Sequence, residues 1–118
     1  MDEEFVTPWK NGDILVIRTW IIIFCGVMTD INHAIVYHAL CNLRDIDSPY
    51  PYTSLGRNTG IGYYIGQEED FRYATNYERK KFFDRLAEKG AYWDSETLRL
   101  KDKNGELIRG RIDNLNQQ

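Results

Sequence analysis

An apolar run at 14–28 constrains the fold of this chain more than any other feature of its sequence. The run is rich in β-branched residues and carries apolar side chains at odd and even positions, a pattern typical of strands buried on both faces of a sheet. A membrane-spanning helix would need about 20 apolar residues, whereas this run is shorter and includes Arg18 and Thr19. It therefore predicts two buried strands, 14–17 and 20–25, or one long strand that bends at Arg18-Thr19.

Turn residues on either side of this run indicate how the sheet begins and continues. Residues 10–13, with the sequence Lys-Asn-Gly-Asp, form a turn signal, because Asn and Gly tolerate positive φ. Gly26 ends the predicted second strand, and a loop is predicted over 29–32. The stretch 33–41 then predicts a third strand, which pairs most simply with the second strand in a hairpin.

The second half of the sequence contains the clearest helix. Thr75 and Glu78 have the spacing of a capping box, in which each side chain accepts a hydrogen bond from a backbone N–H of the first turn. Lys89 followed by Gly90 is a stop signal, because glycine adopts positive φ without strain and a basic side chain suits the negative end of the helix dipole. A helix over about 76–89 is therefore predicted. Its apolar stripe consists of Phe82, Phe83, Leu86 and Ala87.

A hairpin is predicted directly after the helix. Residues 91–93 and 98–100 have the character of short strands, and the polar residues 94–97 between them can form a turn by hydrogen-bonding their own backbone. Asn104-Gly105 is the strongest two-residue hairpin signal in the chain, so one more strand is predicted over 106–111.

The segment 42–60 has no apolar periodicity and contains several Pro, Gly, Asp and Ser residues. It predicts a long irregular excursion, which is functional or mobile, before a short strand at 60–66. Four tyrosines lie in or beside it: Tyr50, Tyr52, Tyr63 and Tyr64. Tyrosine on a loop offers a large contact area at little entropic cost, which suits recognition. The alternative interpretation is that the segment folds back and buries the tyrosines in a small core of its own.

The composition is that of a globular domain with no strong excess of charge. The chain has 118 residues, 42% of them hydrophobic, and a formal net charge of −3. A domain of this size can bury a core without metal or disulfides, and its charge gives no general attraction to nucleic acid or to an anionic membrane. Residues 1–9 are acidic and do not have the pattern of a signal peptide, so a cytoplasmic location is predicted.

The residue types that could support chemistry form no familiar motif. The ones that could suggest a zinc site are Cys25, His33, His38 and Cys41. They include no close pair of the kind that structural zinc sites use, and strand alternation would turn His38 away from Cys41. Both cysteines are interpreted as reduced core thiols, with a cysteine nucleophile and histidine base as the less favoured alternative. The glycine-rich stretch 56–62 opens a strand, whereas phosphate-binding loops open a helix. No catalytic residue, metal ligand or cofactor is predicted.

Several of these punctuating residues resemble a pattern seen in small uncharacterised proteins of prophages and mobile elements of gut anaerobes. The matching positions are Gly12-Asp13, 20–24, Arg72, Ala74, Thr75, Glu78, Phe82, Leu86, Gly90 and Trp93. The resemblance covers about two-thirds of the chain, and it implies a cytoplasmic protein borne by a phage or mobile element. It implies no activity and no catalytic residue.

The sequence as a whole predicts an α+β fold: a small antiparallel sheet, open or barrel-like, with one main helix over about 76–89 and a C-terminal β-hairpin. Residues 1–112 are expected to form a single domain and 113–118 a frayed polar tail.

The leading functional prediction is a non-catalytic binding module of a mobile genetic element, with a protein as its partner and the segment 42–64 as its contact surface. The predicted binding residues are Tyr50, Tyr52, Arg57 and Tyr63. The alternative is a nucleic-acid-binding accessory protein, in which aromatic side chains stack on bases while basic residues of the helix meet phosphates. A small enzyme ranks third.

Overall fold

A computed structural model describes residues 7–28, 34–62 and 70–115 of the chain. Within these ranges the strands are β1 (Ile14–Ile17), β2 (Trp20–Met28), β3 (Ala34–Asn42), β4 (Thr53–Gly62), β5 (Phe71–Tyr73), β6 (Ala91–Asp94) and β7 (Arg99–Asp102). The helices are α1 (Asn76–Glu88) and α2 (Arg111–Leu115), and a single 3-10 turn spans Leu43–Asp45.

The strands form a five-stranded sheet in the order β4-β3-β2-β1-β5 and a separate β6–β7 hairpin. Every described pair of strands is antiparallel. The predicted α+β class, with one main helix and a C-terminal hairpin, is therefore confirmed. The described sheet is open, because β4 and β5 lie at its two edges and are not paired with each other.

The apolar run forms a hairpin, which decides between the two arrangements that its sequence allows. Ile17 pairs with Trp20 across a two-residue loop, in which Arg18 adopts a φ of 56°. All four residues of β1 are buried, which confirms the prediction of burial on both faces of the sheet. The preceding turn is also confirmed: Gly12 has a φ of 101°, and the Asp13 N–H donates to the Lys10 carbonyl at 2.9 Å.

Two apolar clusters lie on opposite faces of the large sheet. The first includes Trp9, Leu15, Ile17, Ile22, Phe24, Ile35, Tyr37, Leu40, Ile61 and Phe71. The second includes Ile14, Val16, Ile21, Ile23, Ala39, Cys41, Phe82, Leu86, Ala91 and Leu100. Because the second cluster contains residues of α1, β6 and β7, we call the side it occupies the helix face of the sheet.

The start of α1 is the predicted capping box. The Glu78 N–H donates to Thr75 Oγ1 at 3.1 Å, and the Thr75 N–H donates to Glu78 Oε1 at 2.9 Å. Arg72 donates two parallel hydrogen bonds, of 2.8 and 2.7 Å, to the same carboxylate. These bonds, with the Arg72 bond as the largest cause, lower the pKa of Glu78 to about 2. The helix ends at Glu88, one residue before its predicted end.

Replacing Thr75 with alanine should lower the free energy of unfolding by about 0.5–2 kcal/mol, because the Glu78 N–H loses its acceptor. Replacing it with serine should restore most of the loss, since serine keeps the hydroxyl. Chemical denaturation of the two variants and the wild type measures both effects. An alanine variant that unfolds at the wild-type denaturant concentration would contradict the role of this cap.

The turns of the C-terminal hairpin follow the sequence signals, but the strand predicted at 106–111 is wrong. Asp94 Oδ1 accepts hydrogen bonds from the backbone of the 94–97 turn, as expected for a turn built on its own side chains. Gly105 has a φ of 82° in the second turn. Beyond it a single bridge joins Leu107 to Lys101, and the chain then enters α2 at Arg111. Residues 106–108 therefore contact β7 without forming a strand, and the helix begins at the last residue of the predicted strand.

Two further predictions need correction. The excursion predicted over 42–60 is irregular only in its first part, because β4 begins at Thr53 and runs for ten residues. Its glycines and register shifts conceal the strand pattern. The tail predicted to be frayed from residue 113 also begins too early, since α2 includes Asp113, which is buried. The loop predicted at 29–32 and the histidine at position 33 lie outside the described residues.

Candidate functional site

The structure separates the residues that the sequence grouped as one binding surface. Tyr50 and Tyr52 lie in the connection before β4, with 92% and 60% of their surface exposed. Arg57 lies five residues beyond Tyr52 in β4, about 15 Å away along an extended strand. Tyr63, the fourth predicted binding residue, lies outside the described ranges, as does its neighbour Tyr64. The described residues therefore belong to two separate regions of the molecule.

The first region is an exposed aromatic surface on a restrained segment. Tyr50 stands between Pro49 and Pro51, and Pro51 is itself buried. Tyr52 packs edge-on against Trp20, with ring centroids 5.8 Å apart and an interplanar angle of 73°. The Tyr52 carbonyl also accepts a hydrogen bond from the Asn42 N–H at 3.2 Å, which ties the segment to the end of β3.

This geometry bears on the alternative in which the tyrosines form a small core of their own. Tyr50 is almost fully exposed, so it cannot be a core residue. Tyr52 contacts Trp20, a partly buried residue at the margin of the first apolar cluster, while most of its own surface remains open. We call the segment 49–52 together with Trp20 the tyrosine surface.

The second region arises from irregularities in three neighbouring strands. The ladder between β2 and β3 skips Cys25 on one strand and His38 on the other. The ladder between β3 and β4 skips His38 again, and it also skips Arg57. Skipped residues are the mark of β-bulges, which bend a strand and re-aim its side chains. His38 and Ala39 consequently face the same side of the sheet, so the expectation that His38 would point away from Cys41 is wrong.

Side chains from the bulges line a cleft of about 320 Å³ on the helix face of the sheet. Its other walls come from the turn before β1, the β6–β7 hairpin and the chain that enters α2. The polar residues of the cleft are Asn11, Cys25, His38, Arg57, Arg99, Arg109 and Asp113, and its apolar residues are Leu98 and Leu107. We call this region the bulge cleft.

An ion pair between Arg57 and Asp113 joins the bulge of β4 to α2. Arg57 Nε donates to Asp113 Oδ1 at 2.7 Å, and its Nη2 forms an ion pair with the same oxygen. Asp113 Oδ2 accepts a hydrogen bond from the Gly110 N–H at 2.9 Å. Burial alone would raise the pKa of Asp113, but the Gly110 N–H and the Arg57 guanidinium outweigh it and hold the pKa below its usual range. Asp113 is therefore a carboxylate near neutral pH.

His38 is a buried, neutral ring in the floor of the cleft. Its Nε2 lies 2.8 Å from Asn11 Oδ1, and because that amide oxygen can only accept, Nε2 is the donor. The ring packs against Trp93 of β6 with centroids 4.6 Å apart. Burial, with a further contribution from the positive charge of Arg57, lowers the pKa of His38 to about 4. The imidazole is therefore uncharged near neutral pH.

Both described cysteines are free thiols. Burial raises the pKa of Cys25, although a hydrogen bond with Arg57 opposes the shift. Burial likewise raises the pKa of Cys41, whose Sγ lies 3.2 Å from Thr53 Oγ1. A raised pKa lowers the fraction of reactive thiolate. Within 7–28, 34–62 and 70–115, no group of three or more His, Cys, Asp or Glu side chains is placed to hold a metal ion.

The basic residues of α1, which the nucleic-acid alternative invokes, are largely matched by acidic partners. The pairs are Lys80–Asp84, Lys81–Asp47 and Arg85–Glu88, with N–O distances of 3.2, 2.9 and 3.1 Å. A paired basic side chain contributes less to an electrostatic patch than its sequence suggests. The net charge of α1 is therefore a poor guide to its attraction for phosphate.

Sequence reasoning identified Arg57 but missed the residues that surround it. Asp113 lies 56 positions from Arg57 in the chain, and Asn11 lies 27 positions from His38. The one available signal was the pair of glycines at 56 and 110, whose backbones approach so closely that a Cβ on Gly56 would lie 2.6 Å from the Gly110 Cα. Glycine at positions 56 and 110 allows the two backbone segments to approach closely, but nothing in the sequence indicates that these segments meet.

No helix in the described part of the chain is long and apolar enough to cross a membrane. Comparison of the chain with protein families, with curated proteins and with solved structures finds no match.

Proposed function

We propose that this protein is a non-catalytic binding module that contacts a partner protein through the tyrosine surface. The observation that carries the proposal is the position of Tyr50, which is 92% exposed on a segment restrained by two prolines. The resemblance to prophage and mobile-element proteins supports a role in such an element, in the cytoplasm of its host.

Restraint matters because ordering a flexible segment on binding costs free energy. Proline fixes its own φ, and it also restricts the residue before it to extended conformations. Tyr50 precedes Pro51 and follows Pro49, so its backbone has little freedom to lose. A tyrosine ring has only two side-chain torsions and combines apolar area with a polar tip, and tyrosine is enriched among the residues that dominate protein interfaces.

A protein partner fits the charges better than nucleic acid does. Nucleic-acid binding relies on unpaired basic side chains near the stacking rings. Here Lys81 is paired with Asp47, which lies next to the tyrosine surface in sequence, and the chain as a whole carries a net charge of −3. Two basic residues, Arg85 and Lys89, line a pocket beside Tyr50, and Arg85 is paired with Glu88, so Lys89 is the one of these two without an acidic partner among the described residues. Aromatic contacts with so little unpaired positive charge beside them are typical of recognition between proteins.

A photo-activated phenylalanine analogue placed at position 50 tests this function in host cells. We expect it to cross-link to a protein of defined mass. Tyr77 offers a control, because it is an exposed tyrosine of α1, with 62% exposure against 92% for Tyr50. The same analogue at position 77 should not give this product, and adding the Tyr52→Ser substitution to the position-50 variant should remove it.

The same substitutions should have little effect on stability. Replacing Tyr50 and Tyr52 together with serine should change the free energy of unfolding by less than about 1 kcal/mol, as substitutions at exposed positions usually do. A double variant that unfolds at room temperature would show that the rings support the fold. Equal cross-linking from positions 50 and 77, or none from position 50, would refute a contact surface at Tyr50.

A further inference from the structure

We propose that the bulge cleft binds the phosphate group of a small phosphate ester. The inference is independent of the proposed function, because the cleft and the tyrosine surface are separate regions of the molecule. It is carried by the balance of charge in the cleft, the state of its neutral donors and its volume.

The cleft has an excess of positive charge that is directed outward. Arg57, Arg99 and Arg109 contribute three positive charges, and Asp113 contributes one negative charge. Both oxygens of Asp113 are already engaged, by Arg57 and by the Gly110 N–H. The side chain of Asp113 is only 4% exposed while that of Arg57 is 40% exposed. A ligand therefore meets the guanidinium of this pair, not its carboxylate.

Arg99 and Arg109 supply the charge that the ion pair does not neutralise. Neither forms an ion pair with an acidic side chain in the ranges that the structure describes. They approach from different elements, Arg99 from the start of β7 and Arg109 from the chain before α2. A guanidinium presents parallel N–H donors that match the oxygens of a phosphate. Two unpaired arginines suit the two negative charges of a phosphate monoester near neutral pH.

The neutral residues of the cleft also present donors. Asn11 Oδ1 accepts the hydrogen bond from His38, which fixes the orientation of the amide and leaves its nitrogen with two N–H donors. Those donors make no hydrogen bond with the described residues. Because His38 is uncharged, it adds no repulsion or attraction of its own, and its role is to hold Asn11 in place. Asn11 is therefore a positioned donor in the part of the cleft wall that comes from the turn before β1.

The volume of the cleft favours an ester over free phosphate. A cleft of about 320 Å³ corresponds to roughly ten water molecules at about 30 Å³ each. A phosphate group, with five non-hydrogen atoms, would leave most of this space unfilled. Leu98 and Leu107 also line the cleft, so an apolar or aromatic group attached to the phosphate would contact an apolar surface.

Titration with phenyl phosphate, followed through backbone NMR signals at constant ionic strength, tests the site. We expect saturable shifts in signals of residues in the bulge cleft, with a Kd of about 1 mM or tighter. Inorganic phosphate should bind more weakly, and phenol should not produce these shifts. Phenyl phosphate that binds no more tightly than inorganic phosphate, or no saturable shift at all, would overturn the proposal.

Paired arginine substitutions identify the source of the affinity. Replacing Arg99 and Arg109 together with glutamine should weaken binding of phenyl phosphate at least about tenfold, because hydrogen bonds to a charged group are lost. Arg44→Gln with Arg79→Gln removes the same charge from exposed positions outside the cleft. This control should leave the Kd within about twofold of wild type. An equal loss in both double variants would mean general attraction by net charge and would refute the site.

Discussion

Replacing Phe82 with alanine should lower the free energy of unfolding by about 3–5 kcal/mol, the usual loss when a buried aromatic ring is removed. Phe82 is fully buried and belongs to the apolar cluster that joins α1 to the helix face of the sheet. The cavity cannot collapse easily, because β2, β3 and the β6–β7 hairpin all contribute residues around it. Urea denaturation followed by tryptophan fluorescence measures the change.

Phe83 provides the matched control for this prediction. It has the same side chain one residue further along α1, its ring lies 5.8 Å from that of Phe82, and it is only partly buried. Alanine at this position should cost about 1–2 kcal/mol. Equal losses at the two positions would mean that α1 does not dock through the face that carries Phe82 and Leu86.

Replacing Gly110 with alanine is expected to have the second large effect, a loss of about 3 kcal/mol or more. A Cβ at this position would overlap the backbone nitrogen and oxygen of Arg57, as well as the carbonyl carbon of Gly56. Backbone atoms cannot move aside as a flexible side chain can, so α2 must shift away from β4. Because Asp113 lies on α2, the shift should also separate it from Arg57.

Gly26→Ala is the control for this substitution, because a Cβ there would find no atom within 4 Å. We expect its stability to remain within about 1 kcal/mol of wild type. Thermal denaturation of both variants and of the wild type measures these differences in stability. If Gly110→Ala were as stable as Gly26→Ala, the close approach of the Gly110 backbone to β4 would be contradicted.

The sequence was informative where a local rule determines the structure. The capping box at Thr75 and Glu78 depends on residues three positions apart, and the turn at Gly12 depends on one backbone conformation. The burial of 14–17 and 21–24 was predictable because apolar side chains at successive positions are typical of strands covered on both faces. These features needed no knowledge of the rest of the chain.

The errors occurred where distant parts of the chain meet. The sequence predicts an irregular segment over most of β4 because its glycines break the alternation, and one of them, Gly56, is explained by the close approach of the Gly110 backbone. α2 was not predicted because its five residues are too few to show a helical periodicity. In the structure, the hydrogen bond between Arg57 and Asp113 holds this helix against β4. The bulge cleft could not be foreseen for the same reason, since strand alternation holds only between bulges.

The bulges in β4 have one more consequence, which concerns contact between copies of the protein. An edge strand with a long, flat row of free backbone groups can recruit the edge of another molecule and start aggregation. One edge of this sheet is β5, which has only three residues. The other is β4, which has ten residues but shifts its register on both sides of the Val36–Thr59 and Tyr37–Asn58 pairs. The irregularity that builds the cleft thus also interrupts the longer edge, which leaves a second chain no straight strand against which to pair.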